Sequence, residues 1–275
     1  MVWDTGVVVT ADSRASGGYI MHEETKIYPI YQGKGQSEID LAVVGGSGNS
    51  ALVKQGASLI EKEFLGWLRA AGKRRNPNDE ELDEIVATLE ARFMARYADL
   101  RNNGISVDTE LLLASLSSTG EPRLYVFDDH GIANPLHKVP GYALLGMGSV
   151  TGGQLLLRLL GYSPGYQGDL GLLSAFVLDA VSEIDPSVSP FLGDSLMIRF
   201  DENRQKVSMG PLTAVALKSY KANVSKRKEM LMKLWQLADL VGEDAVSQKL
   251  ESLFKRSKPK EAEAGSNPSG KVHES

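Results

Sequence analysis

Asp12, Arg14 and Lys26 are the residues of this sequence best suited to do chemistry together. Asp12 and Arg14 follow the run Gly6-Val7-Val8-Val9-Thr10-Ala11, and Lys26 opens the stretch Thr25-Lys26-Ile27-Tyr28-Pro29-Ile30. A lysine held against an aspartate inside a sheet is a fixed cation. Such a cation lowers the proton affinity of a nearby hydroxyl or free α-amine, which an alcohol nucleophile needs at neutral pH. A salt bridge bracing a turn would use the same pair. A second candidate is Gly45-Gly46-Ser47-Gly48-Asn49, between an apolar strand and a helical pattern. Backbone N–H groups freed there could bind an anion or form an oxyanion hole, and the run would serve equally as a tight turn. It lacks the Gly-Lys-Ser/Thr ending of a phosphate-binding loop, and the hairpins before it exclude a dinucleotide fingerprint. Gly146-Met147-Gly148-Ser149 repeats the strand-to-helix pattern, and Asp185-Pro186-Ser187-Val188-Ser189-Pro190 has the composition of a capped turn.

The elements that must position these residues follow from hydrophobic patterning. Val7-Val8-Val9, Tyr19-Ile20-Met21, Lys26–Ile30 and Ile39–Val44 read as strands, with a turn at Ser16-Gly17-Gly18 and a polar loop at Tyr31–Gln36. Their short connections make them antiparallel. Two long amphipathic helices follow, Ser50 to Ala71 and from about Asp79 onward, separated by a break at Lys73–Asn78. Strands return at Glu110–Leu116, Arg123–Phe127 and Tyr142–Leu145. Helical patterns follow at 150–160 and 170–183, and a hairpin of Asp194–Phe200 with Gln205–Met209 closes the array. Helices gathered in pairs argue against a doubly wound sheet. The expected fold is α+β, a four-layer αββα sandwich of two antiparallel sheets with a helical layer outside each. Residues 1–215 form that domain, 216–256 a charged helical extension and 257–275 a disordered tail. The extension has an apolar stripe from Met230 to Val241, bent at Gly242, which could pack on its own subunit or on a neighbour.

Composition narrows the function classes. The 275 residues are 42% hydrophobic with net charge −5, enough for a sizeable core and without a basic footprint for nucleic acid. No apolar run approaches the roughly 18 residues of a membrane span, and the start has no signal-peptide pattern, so a cytoplasmic location is expected. Cysteine is absent, which excludes disulfides and thiolate chemistry. His22, His130, His137 and His273 are scattered without metal-ligand spacing, and no cofactor is implied.

Taken together, Gly6–Ser16, Thr25-Lys26-Ile27-Tyr28, Val43-Val44-Gly45-Gly46-Ser47-Gly48 and Gly146-Met147-Gly148-Ser149 resemble proteasome-type subunits of the 20S alpha/beta kind. These are N-terminal-nucleophile hydrolases. The resemblance covers roughly residues 1–210. It implies a threonine peptidase working in a ring of like or related subunits on polypeptide substrate, or a non-catalytic subunit of such an assembly. By position, Asp12 matches the aspartate that supports the active-site lysine, and Arg14 the basic residue beside it. Lys26 matches the lysine that tunes the nucleophile, Gly45 the glycine of the oxyanion hole, and Asp185 the late aspartate near the nucleophile's amine. The threonine's place falls about five residues ahead of Met1, and Met1-Val2-Trp3-Asp4 corresponds to the rest of its strand. Met147 stands where active members carry a serine, and Val188 where a hydroxyl residue is expected.

Overall fold

The computed structural model describes residues 1–17, 20–23, 25–33, 39–72, 75–190, 192–203 and 205–257. Parts of the turn at Ser16–Gly18, the loop Tyr31–Gln36 and the break at Lys73–Asn78, and the tail from 258 on, lie outside the described residues.

Three valines show why the layers form. In β2 (Gly6–Asp12), Val7 and Val9 point into a core shared with Val43, Leu112, Ala114, Leu124 and Ile198, while Val8 points the other way, against Leu173, Val177 and Val181. A strand covered on both faces reads as a continuous β-branched run, because alternate side chains enter different cores. One sheet has the order β1 (Val2–Trp3), β2, β10 (Leu192–Asp201) and β11 (Lys206–Pro211). The other runs β5 (Ile27–Gln32), β6 (Ile39–Gly48), β7 (Thr109–Leu116), β8 (Pro122–Phe127) and β9 (Ala133–Pro135), every pair antiparallel. β3 (Arg14–Gly17) and β4 (Ile20–Glu23) make a separate hairpin.

The helical layers follow from the same alternation. Leu111 and Leu113 of β7 face outward into a core closed by α1 (Ser50–Ala71) and α2 (Asp79–Asn102) through Ile60, Phe64, Leu89 and Phe93. Asn49 caps α1 by accepting from Ala51 N and Leu52 N, and Asn78 and Glu81 form a capping box on α2. Over the other sheet lie α3 (Gln154–Leu159), entered through a π-helical turn at Ser149–Gly153, and α4 (Leu170–Ser182). The four-layer αββα sandwich is the observed architecture.

One expected strand is not there. Tyr142–Leu145 joins no ladder; Tyr142 lies in the α3–α4 core, and Ala143 and Leu145 pack against the inter-sheet core. The helical region begins with α5 (Ala214–Val241), and Gly242, at φ 89°, separates it from α6 (Glu243–Ser257). The chain divides into two compact units between Val224 and Ser225, inside α5. No helix among the described residues is long and apolar enough to cross a membrane.

Candidate active site

β2 delivers Asp12 to the edge of its sheet, where its register partner on β10 is Leu192. Lys26, just ahead of β5, reaches it from the other sheet: Lys26 Nζ donates to Asp12 Oδ1 at 2.7 Å. The other carboxylate oxygen accepts from two backbone amides, Arg14 N at 3.1 Å and Ser189 N at 3.2 Å. The lysine is held at its main chain as well, its N–H donating to Asp194 Oδ2 at 2.9 Å. Side-chain exposures of 25% for Lys26 and 14% for Asp12 leave the ammonium within reach of a bound group while the carboxylate is spoken for. Asp194 reaches Lys26 because β10 slips register between Leu192 and Asp194. Gly193 lies at the slip, where an added Cβ would fall 2.6 Å from Ser13 N.

The loop after α4 closes the other side. Arg14 does not join Asp12 through its guanidinium; that group donates to the carbonyls of Pro186 and Val188. Arg14 thereby fastens the loop whose next amide, Ser189 N, binds Asp12. Asp185 opens this loop and is buried. Its Oδ1 accepts from Ser187 Oγ at 2.6 Å and Ser187 N at 2.9 Å, and its Oδ2 from Thr151 Oγ1 at 3.4 Å. The Ser187 hydroxyl, then its amide, hold this carboxyl below the usual carboxylate range.

The glycine run sits differently from the sequence expectation. β6 does not stop before Gly45; the ladder continues to Gly48, with Gly45 opposite Ile27 on one side and Leu112 on the other. The strand-to-helix junction is Gly48-Asn49. Gly48 has φ 92°, and a Cβ there would fall 1.8 Å from Asp108 O, so no other residue fits. The first amides of α1 are capped by Asn49, so the run does not make a free nest at the helix start. Gly45 lies beside Lys26, whose carbonyl oxygen is 3.8 Å from where a Cβ would stand. Farther along β6, Ser47 meets the second glycine turn at Gly146, and Gly148 meets Val188 of the Asp185 loop. Neighbour by neighbour, the structure thus brings Asp12, Lys26, Gly45 and Asp185 to one end of the sandwich.

The β1–β2 register shows what could lie over Lys26. Val2 pairs with Val7 and Trp3 with Gly6, and Val8 N donates to Met1 O at 2.9 Å. Each step back along β1 therefore advances one step along β2. A β1 continued backward would place the fourth residue ahead of Met1 opposite Asp12, with the fifth just beyond. Tyr162 fixes β1 in place, its hydroxyl accepting from Val2 N at 2.9 Å and lying 2.7 Å from the carbonyls of Val2 and Gly141.

Among solved structures, the chain is similar to Anbu, an ancestral beta-subunit, from Yersinia bercovieri, at 17% identity and a TM-score of 0.63 over 86% of this chain and 95% of that one. Two further neighbours are Anbu from Hyphomicrobium sp. strain MC1, at 14% identity and 0.60 over 85% and 94% of the chains, and its Gly-1 mutant, at 14% and 0.62 over 86% and 96%. At these identities the likeness establishes the fold. No protein-family model and no curated protein matches the sequence. The finding corrects the 20S alpha/beta-type assignment: the neighbours are Anbu proteins, and they do not single out the 20S type. The motifs behind that assignment, the valine strand with Asp12, the lysine and the glycine-rich strand end, build a shell that does not distinguish one branch of such a fold from another.

Sequence reasoning saw Ser187 and Ser189 only as parts of a capped turn, and it missed Asp194 and Thr151. Ser189 contributes a backbone amide, and Asp194 meets Lys26 across 168 residues of sequence, so neither leaves a local pattern. Asp128, Asp129 and His130 are the described residues whose ligand atoms cluster within 4.8 Å, but Asp128 already accepts from two amides of its own turn.

Proposed function

We propose that this chain is the body of a proteasome-like subunit whose shell serves an N-terminal threonine, for hydrolysis of peptide amides. One observation carries this reading: the Lys26 ammonium, held by Asp12 while Asp194 holds the lysine's main-chain N–H, lies at the end of β2 toward which the β1 register would bring the start of a longer first strand. In the reaction, the threonine hydroxyl oxygen attacks the peptide carbonyl carbon and its proton passes to the threonine's own α-amine. The tetrahedral oxyanion collapses, the C–N bond breaks, and the α-ammonium protonates the leaving amine. Water, deprotonated by the same amine, then cleaves the ester and frees the acid. Lys26 contributes electrostatically, favouring the deprotonated hydroxyl and stabilising negative charge at the attacking oxygen. Asp12 is a positioning residue that fixes the ammonium. Gly45, beside the lysine, keeps the approach clear of a side chain, and Asp185 organises the far wall. The unit 1–215 is proposed as the hydrolase body and 216–256 as its helical extension.

A second reading has its own support. Met147, where active members carry a serine, is 62% exposed and offers no hydroxyl. A non-catalytic subunit of a proteasome-like assembly would keep the same shell for its packing. Hydrolysis of fluorogenic peptide amides separates the two. The test protein is this chain led by a β1 extension with a free N-terminal threonine, beside the same protein carrying Lys26→Ala or Lys26→Arg. Activity lost in Lys26→Ala and partly kept in Lys26→Arg supports catalysis. Inactivity of the threonine-led protein, with folding intact, supports the structural subunit.

A further inference from the structure

The second half of α5 has no complement among the described residues of its own unit. Met230, Leu231, Trp235, Leu237 and Val241 are all exposed, Trp235 at 77%, and with Leu234 they fill more than one side of the helix. A helix that is apolar over so much of its circumference is one that becomes covered. Its charges say by what. Lys226 and Arg227 lie one turn before this apolar stretch, and Glu243 and Asp244 lie just after it, across the Gly242 bend. Lys233 is already paired with Glu229 at 2.5 Å and takes no part. The midpoint between the basic and acidic pairs falls at Leu234-Trp235, the middle of the apolar stretch. A helix with that arrangement complements a second copy of itself laid antiparallel. The two-fold axis then passes near Leu234, and each basic end meets the partner's acidic end. Parallel pairing would instead set like charges together.

We propose that residues 226–244 form a self-association element, in which α5 pairs antiparallel with α5 of a second copy of this chain. The proposal rests on the helical extension alone and is independent of the catalytic reading. The absence of cysteine makes it directly testable on the full chain. Mixing a Lys226→Cys chain with a Glu243→Cys chain under mild oxidation is expected to give a crosslinked dimer at least fivefold above either chain alone, while Leu234→Cys crosslinks to itself. In sedimentation, the pair Lys226→Glu with Arg227→Glu, and separately Glu243→Lys with Asp244→Lys, should each weaken association at least fivefold, and all four together should restore it. Self-crosslinking of Lys226→Cys, no crosslink in the mixture, or charge reversals without effect or without mutual rescue would overturn the proposal. So would a dimer held only by other faces, or capture of a different protein in place of the second copy.

Discussion

The Asp12 carboxylate accepts three hydrogen bonds at once, and this makes Asp12→Asn the most informative single change. A carboxamide has one acceptor oxygen and one donor group. If the oxygen faces Lys26 Nζ, the new NH2 points at the amides of Arg14 and Ser189; if it faces those amides, the NH2 points at the ammonium. Either way one side of the carboxylate's role is lost and donor is set against donor. Hydrogen bonds to charged groups contribute about 1.5–3 kcal/mol each, so the expected cost is about 3 kcal/mol. Lys26→Met removes only the partner at Oδ1 and leaves both amide bonds. With Lys26 a quarter exposed, solvent screens that pair, and about 1–2 kcal/mol is expected. Urea unfolding of the two variants and the parent protein measures the order. A Lys26→Met cost equal to or above that of Asp12→Asn, or an Asp12→Asn cost under about 0.5 kcal/mol, would refute the view that Asp12 ties Lys26 to the loop after α4.

Three further outcomes are expected. Gly45→Ala should change stability by less than about 1 kcal/mol, because the new methyl meets only ordinary contacts at 3.8 Å, whereas Gly48→Ala should lose several kcal/mol or fail to fold; thermal melts of the pair check this. Tyr162→Phe should cost about 1–3 kcal/mol and speed amide hydrogen exchange in β1, since Val2 loses its hydroxyl partner. His137 titrates in a sensitive place: burial, with the charges of Arg123 and Lys138, holds it below the ordinary imidazole value. The unfolded chain therefore takes up the proton first, and the stability this group contributes above its unfolded value is lost as pH falls toward its folded one. The unfolding midpoint should drop more between pH 7.5 and 5.5 in the parent than in His137→Gln.

Much of this was legible in the sequence, for reasons the structure makes plain. Val7-Val8-Val9 read as a strand, and its unbroken apolar run reflects two faces that feed two cores. Helices α1 and α2 showed in their apolar stripes; their caps, Asn49 and Asn78, were not read from the sequence. Lys26 and Asp12 were recognisable as partners from their opposite charges and the family resemblance, although they come from different sheets. The glycine run misled for a physical reason. Gly46 is small because α1 packs onto the strand there, where an added Cβ would fall 2.6 Å from Val53, so the glycine marks a close approach and not the end of the ladder. Tyr142–Leu145 carries a strand-like apolar pattern because its side chains enter two cores, although its backbone pairs with no strand. Asp185 entered the site through the resemblance, but the tie between its loop and Asp12 was invisible, since it runs through the backbone amide of Ser189.

Catalysis as proposed depends on the position of the Lys26 ammonium relative to the start of β1. The most direct measurement is the rate of peptide-amide hydrolysis by proteins whose free N-terminal threonine stands three, four, five or six residues ahead of Met1. The β1–β2 register predicts a maximum at four or five, abolished by Lys26→Ala. Rates that do not depend on extension length, or that survive Lys26→Ala, would contradict it.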